Sequence, residues 1–294
     1  MATYYLKHHG IRGQKWGVRR FQNSDGTWTE AGKKRYGKGN SYAKVRGDIS
    51  NDPHDTEGST KAEKARLAVN VALDLLTLNP VGAAMDITRA VQAGQAISKE
   101  KKAEKRLANA EVDEKTGLKL KSKELTAEQD MKLTNPGFHN FNTNTKNNCV
   151  LCSTAFELRR RGYDVIASKA AIGYSADEYT KWFKGAKEET FQPFESKLPN
   201  FPSIKRAKEM REWAESNILP QGEGARGYFT VAWSPYAGHS MAYEVKNNKI
   251  VIYDAQCGTK TSVRELSHQT VDMGFVRLDD KEPNWAAMKA AGVI

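Results

Sequence analysis

Cysteine is scarce in this chain: three in 294 residues, at positions 149, 152 and 257. Three thiols are too few for a disulfide scaffold, and an odd number leaves one unpaired, which fits a reducing compartment. Long apolar runs are missing as well. No stretch reaches the roughly 18 apolar residues that read as a membrane-spanning helix. The opening MATYYLKHHG lacks the apolar core of a secretory signal. A cytosolic, reduced protein suits these absences. A mean hydropathy of −0.69 is polar for one compact globule, so some segments should be solvated or need a partner.

Acidic residues are nearly absent from the first 46 positions, where eleven Lys and Arg face only Asp25 and Glu30. Most of the net charge of +11 therefore sits in this arm. Tyr4, Tyr5, Trp16, Phe21, Trp28 and Tyr36 alternate there with glycines and basic residues, without a helical or strand period. Phosphate neutralisation and base stacking would make such a segment a nucleic-acid binder. A small tag docked on a partner protein fits the pattern better. His8 and His9 have no neighbouring ligand set for zinc.

Residues 47–60 (GDISNDPHDTEGST) read as a linker. The pattern then turns helical from 61 to 107, interrupted at Asn79-Pro80. Leu67, Val71, Leu75 and Leu78 mark one stripe, and Ala84, Ile87, Val91 and Ile97 a weaker one. This is an αα-hairpin whose apolar face packs in a homo-oligomer or on its own domain, with a membrane as the alternative. Residues 108–144 read as a lead-in, and a domain follows over 145–294.

That domain opens with NNCVLCSTAFELRRRGYDV, a helix that Asn147 or Asn148 can cap and Gly162 stops. Cys149, Cys152, Phe156 and Arg159 share a side, while Arg159 to Arg161 read as a solvated face that complements the helix dipole. A second helix is expected near Ile204 to Ser216. The runs GYFTVAWSP, HSMAYEV and KIVIYDAQ are strands, the last two joined by a KNNK turn. Helices followed by antiparallel strands give an α+β class.

Chemistry concentrates at three places. A thiol in the first turn of a helix feels the positive end of the helix dipole and ionises more easily, and Cys149 is nearer that end than Cys152. His239 opens one strand of the hairpin and Asp254 closes the other, so the two fall near the same end. Nucleophile, base and orienting acid would then follow in the order Cys, His, Asp. Gln256, two residues beyond Asp254, would lie on the same strand face and bind substrate or the oxyanion. Other readings of the cysteines remain open at this point. Cys152 could be a buried core residue or itself the nucleophile. A redox CxxC would need a preceding strand of a βαβ unit, for which there is no pattern. Cys149, Cys152, His239 and Cys257 would form a Cys₃His zinc set, though without the second close pair of ligands that structural sites use.

NNCVLCSTAFELRRRGYDV, ARGYFTVAW, GHSMAYEV and YDAQCG together resemble the papain-fold toxin domains of the glutamine-deamidase type, over about residues 145–275. The resemblance implies Cys149 as nucleophile, His239 as base and Asp254 as orienter, with Gln256 completing an Asp-x-Gln motif. Asn148, of the Asn-Cys motif, and Gln256 are then the candidates for holding substrate or oxyanion. It also implies a protein substrate and no metal or organic cofactor. Glutamine deamidation, peptide cleavage and transglutamination share the thiolate chemistry, and residue spacing does not separate them. HHGIRGQKWGVRRFQNSDGTWTEAGKKRYG resembles a tag at the start of phage and prophage structural proteins. That implies a virion-associated chain whose arm meets capsid or portal proteins. The alternatives are a non-enzymatic head-assembly protein and a phage cell-wall hydrolase of the Cys-His type.

Overall fold

The computed structural model describes residues 80–139, 145, 147–169, 174–192, 199, 203–234 and 237–294. The basic arm, the 47–60 linker and the first arm of the expected hairpin lie outside the described residues. Two compact units divide the chain, and of the smaller one only residues 80–95 and 139 are described. In that stretch Ile87 and Val91 are about half exposed, although periodicity puts them on the packing stripe. The buried positions there are Asp86 and Ala93. No helix among the described residues is long and apolar enough to cross a membrane.

Helix α1 spans Pro80–Ala108. Proline is tolerated at this first position because its missing N–H would have no helical partner there. Within the larger unit, Ala96 and Ala103 of α1 are buried, two turns apart on one face. Short side chains, rather than the neighbouring Ile97, make the packed edge.

Part of the expected lead-in at 108–144 belongs to the core. Thr126 and Gln129 form a capping box that starts α2 (Ala127–Thr134), and Ala127 and Met131 are buried in the same apolar cluster as the next helix. Helix α3 (Cys149–Arg160) ends at Arg161, with Gly162 at a φ of 99° where only glycine is unstrained. After α4 (Ala176–Tyr179) comes the short strand β1 (Glu189–Thr190), then α5 (Ile204–Ile218). The remaining elements are β2 (Arg226–Ser234), β3 (Ala237–Lys246), β4 (Lys249–Asp254) and β5 (Thr259–Thr261). The chain closes with α6 (Val263–Ser267), β6 (Asp272–Arg277) and α7 (Trp285–Ala290).

The strands form one antiparallel sheet in the order β1-β6-β2-β3-β4-β5. The β3–β4 hairpin turns at Asn247-Asn248, both with positive φ (52° and 55°). This is the turn form that matches strand twist and favours asparagine. Alternation then sorts the strands' side chains. Tyr228, Ala242, Tyr253 and Val276 pack with α2 and α3 in one apolar cluster. Phe229, Met241, Tyr243, Ile252 and Phe275 pack with Met210, Ala214 and Ile218 of α5 in the other. Helices on both faces of an antiparallel sheet make the unit α+β.

Across the α3 face, the Thr154 hydroxyl donates to the Val150 carbonyl at 2.8 Å and so accepts from the Tyr228 hydroxyl, also at 2.8 Å. Both groups are fully buried. Tyr228→Phe should therefore lower unfolding stability by about 0.5–1.5 kcal/mol, read from denaturant midpoints. An unchanged midpoint would show that this bond contributes nothing.

The arginines at the end of α3 differ most from the sequence reading. Arg159 is not solvated; its exposure is 0%. Its Nε donates to Asp130 Oδ1 at 3.1 Å, and its Nη1 to Asp164 Oδ1 at 2.5 Å and to the Val165 carbonyl at 2.9 Å. Lys121 and Arg160 also reach Asp130, while Arg106 grips Asp164 with two nitrogens. Arg161 stacks over Phe183 and donates to the carbonyls of Leu278 and Lys281. The triplet anchors α3 from its C-terminal end.

Candidate active site

Helix α3 delivers Cys149 as its first residue, 1% exposed, from behind the Asn148 N-cap. The expected side-chain cap is absent. Asn148 instead donates Nδ2 to the Ser168 carbonyl at 2.9 Å and accepts at Oδ1 from Gln256 Nε2 at 3.4 Å. Both ends of its amide are committed away from the helix.

His239 comes from β3, opposite Val231 of β2. The hairpin register pairs Ala242 with Tyr253, so Asp254 faces Met241 and lies diagonal to His239. A diagonal pair is within reach of an imidazole and a carboxylate, and His239 Nε2 meets Asp254 Oδ2 at 2.8 Å. The Cys149 side chain is hydrogen-bonded to the same ring.

The carboxylate is fixed in turn by the tight turn that follows β4. Asp254 Oδ1 accepts the backbone N–H groups of Gln256 at 3.0 Å and Cys257 at 3.3 Å, and the Gly258 N–H returns to the Asp254 carbonyl at 2.8 Å. Gln256 therefore lies in this turn, not on a strand face. Its own carbonyl is held by Asn135 Nδ2 at 3.0 Å, and that same nitrogen holds the Thr145 carbonyl at 2.9 Å. Asn135 thus ties the segment before the thiol to the turn after the carboxylate.

Electrostatics follow from this packing. Burial alone would pull the His239 pKa down, but Asp254 and Cys149 override it and push the ring up to about 10. Burial would raise Asp254, yet its bonds to His239 and Cys257 hold it below the usual carboxylate range. Both shifts point to an imidazolium bonded to a carboxylate. Trp233 lies nearly parallel to the His239 ring, 14° between planes and 5.7 Å between centroids, where an aromatic face favours a cation.

Cys152 behaves differently. It is fully buried, and burial followed by the nearby Cys149 raises its pKa well above that of a free thiol. It keeps its proton. Among the described residues, no group of three or more His, Cys, Asp or Glu is arranged to hold a metal.

The structure thus brings Cys149, His239 and Asp254 together and joins Asn148 to Gln256 behind them. Trp233, Asn135 and the aspartates that hold α3 escape the sequence reading. Asn135 sits in an Asn-Pro-Gly turn that looks like any other, and Trp233 ends a strand where an aromatic passes as edge packing.

A helix-start thiol, a histidine near the start of one strand and a carboxylate closing the next, on this α+β frame, define a papain-fold cysteine hydrolase. Residues 147–259 match the model of the family described as papain fold toxin 1, glutamine deamidase. The match covers less than half of the chain. Neither the curated proteins nor the solved structures compared with this chain gave a match.

Proposed function

We propose that this domain deamidates glutamine side chains of a protein target, with Cys149 as nucleophile, His239 as acid and base, and Asp254 as orienter. The observation that supports this most is the Cys149–His239–Asp254 relay, inside the segment matched to a deamidase family. The thiolate adds to the carboxamide carbon, and His239 gives its proton to the departing ammonia. A water then adds to the thioester while His239 takes its proton, releasing glutamate and the free thiol. Gln256 is the donor we assign to the developing oxyanion. Its bond to Asn148 is long, at 3.4 Å, and its amide carries a second hydrogen.

The basic arm, through its resemblance to a phage structural-protein tag, supports a chain carried by a virion through capsid or portal contacts. The enzyme would then act as an effector.

The test incubates the full chain with an unfolded, glutamine-rich protein and follows ammonia release and glutamine-to-glutamate conversion by mass spectrometry. Cys149→Ala should reduce both on the order of 10⁴-fold or more, while Cys152→Ala keeps them. New peptide termini without ammonia would make the domain a peptidase instead. Glutamine isopeptide links to added amine would make it a transglutaminase.

A further inference from the structure

We propose that Asn135 is a positioning residue of this site: its amide fixes the backbone of Gln256 and thereby aims the donor assigned to the oxyanion. The inference rests on that role for Gln256. It reaches outside the family match, which begins at residue 147.

Gln256 is held from three directions. Its N–H goes to Asp254 Oδ1 at 3.0 Å, its carbonyl accepts from Asn135 Nδ2 at 3.0 Å, and its side-chain amide reaches Asn148 Oδ1 at 3.4 Å. The side-chain bond is the longest of the three, so the two backbone bonds set where the amide points. Asp254 grips one side of that backbone from two residues away; Asn135 grips the other from 121 positions earlier in the chain.

The anchor is itself rigid. Asn135 is the C-cap of α2 and is buried. It opens a turn closed by the Phe138 N–H on its carbonyl at 3.2 Å, with Pro136 second, where a fixed φ suits a β-turn. The other hydrogen of the same amide goes to the Thr145 carbonyl at 2.9 Å, and the Thr145 hydroxyl donates to the Gly137 carbonyl at 3.1 Å. Thr145 lies four residues ahead of Cys149. One NH₂ group thus registers the turn that carries Gln256 against the chain that leads into the nucleophile.

An oxyanion donor helps only when it stands about 2.7–3.1 Å from the charge as it develops, and a displacement of about 1 Å costs on the order of 100-fold. Asn135 acts on this step and leaves thiolate formation to His239 and Asp254. Two reactions of Cys149 separate the steps. With p-nitrophenyl acetate the sulfur bonds to the carbonyl carbon and the negative charge moves to its oxygen. Collapse of that oxyanion breaks the C–O bond and expels p-nitrophenolate. With iodoacetamide the sulfur displaces iodide from a saturated carbon, and no oxyanion forms.

The test measures both reactions on the full chain near pH 8, with Cys149→Ala as the blank. In Asn135→Ala the p-nitrophenolate burst should slow by about 10–100-fold, while Cys149 takes iodoacetamide at the wild-type rate. Asn135→Asp, equal in size but with an accepting oxygen in place of the NH₂, is the second variant should the first fold poorly. Joined to Gln256→Ala, the Asn135 change should add no further loss, because it acts through Gln256. Unchanged acylation, losses that add in the double variant, or acylation and alkylation falling together in both Asn135 variants overturn the proposal. So does a wild type that is not acylated above the blank. Ammonia release from the glutamine-rich protein distinguishes the two ideas. Its absence with the acylation pattern intact removes the deamidase reading alone, and its presence with acylation unaltered in the Asn135 variants removes the positioning role alone.

Discussion

His239→Ala should lower turnover on the order of 10⁴-fold or more, comparable to losing the nucleophile, because residues that act as one unit are not additive. The fold should survive, since His239 lies at the head of a strand whose pairing is carried by backbone bonds. The sharper readout is alkylation of Cys149. In the wild type the bonded histidine holds its proton up to about pH 10, and labelling by iodoacetamide should stay nearly flat from neutral pH into the alkaline range. Without the imidazolium, an unassisted thiol ionises near ~8.5, so labelling in the variant should be slow at pH 7 and climb with pH. Identical pH profiles for the two proteins would falsify the ion-pair account.

Stability follows with a definite sign. The folded-state pKa of His239 lies above its unfolded value of about 6.5, so its contribution is complete below that pH and is lost as the pH rises toward 10. Asp254 runs the other way: its contribution is present above the ordinary carboxylate range and fades as acid titrates it through its lowered folded value. The apparent midpoints belong to the coupled group, not to one residue.

Asp130→Ala is the second large effect. Asp130 is 0% exposed and receives Lys121 at 3.0 Å and Arg159 at 3.1 Å. Removing it leaves a fully buried guanidinium with only Asp164 and a carbonyl as partners, and Arg159 Nη2 already has no hydrogen-bond partner. Breaking a buried pair from one side costs about 3–5 kcal/mol. Thermal unfolding of the full chain should therefore shift down by roughly 10 °C. Arg159→Met, which removes the charge and its need for partners, should cost less than Asp130→Ala. The reverse ranking would mean the network is not limited by the stranded charge.

The contrast between these two sites explains what could be read in advance. The β3–β4 hairpin was legible because an Asn-Asn turn and period-two alternation are local signals, and the Cys, His and Asp positions stand at element ends that local pattern marks. Strand β6 was not. DMGFVR gains its place by pairing with β2, forty and more positions earlier in the chain, and with β1, earlier still. The arginine triplet differs from its sequence reading because three cations ending a helix look the same whether water receives them or buried aspartates, carbonyls and an aromatic ring do. Helix α2 had left a sign in its Thr126-to-Gln129 spacing, outweighed by the polar composition around it.

The position of those aspartates also sets where this enzyme can be cut. A fragment trimmed to residues 147–259 would keep every group of the proposed relay. It would lose Asp130, which neutralises Arg159, and Asn135, which holds the turn behind the carboxylate. It would also lose β6, the strand between β1 and β2. The segment that carries the chemistry is thus smaller than the segment that can fold. An autonomous enzyme would have to begin no later than Arg106 and continue through β6.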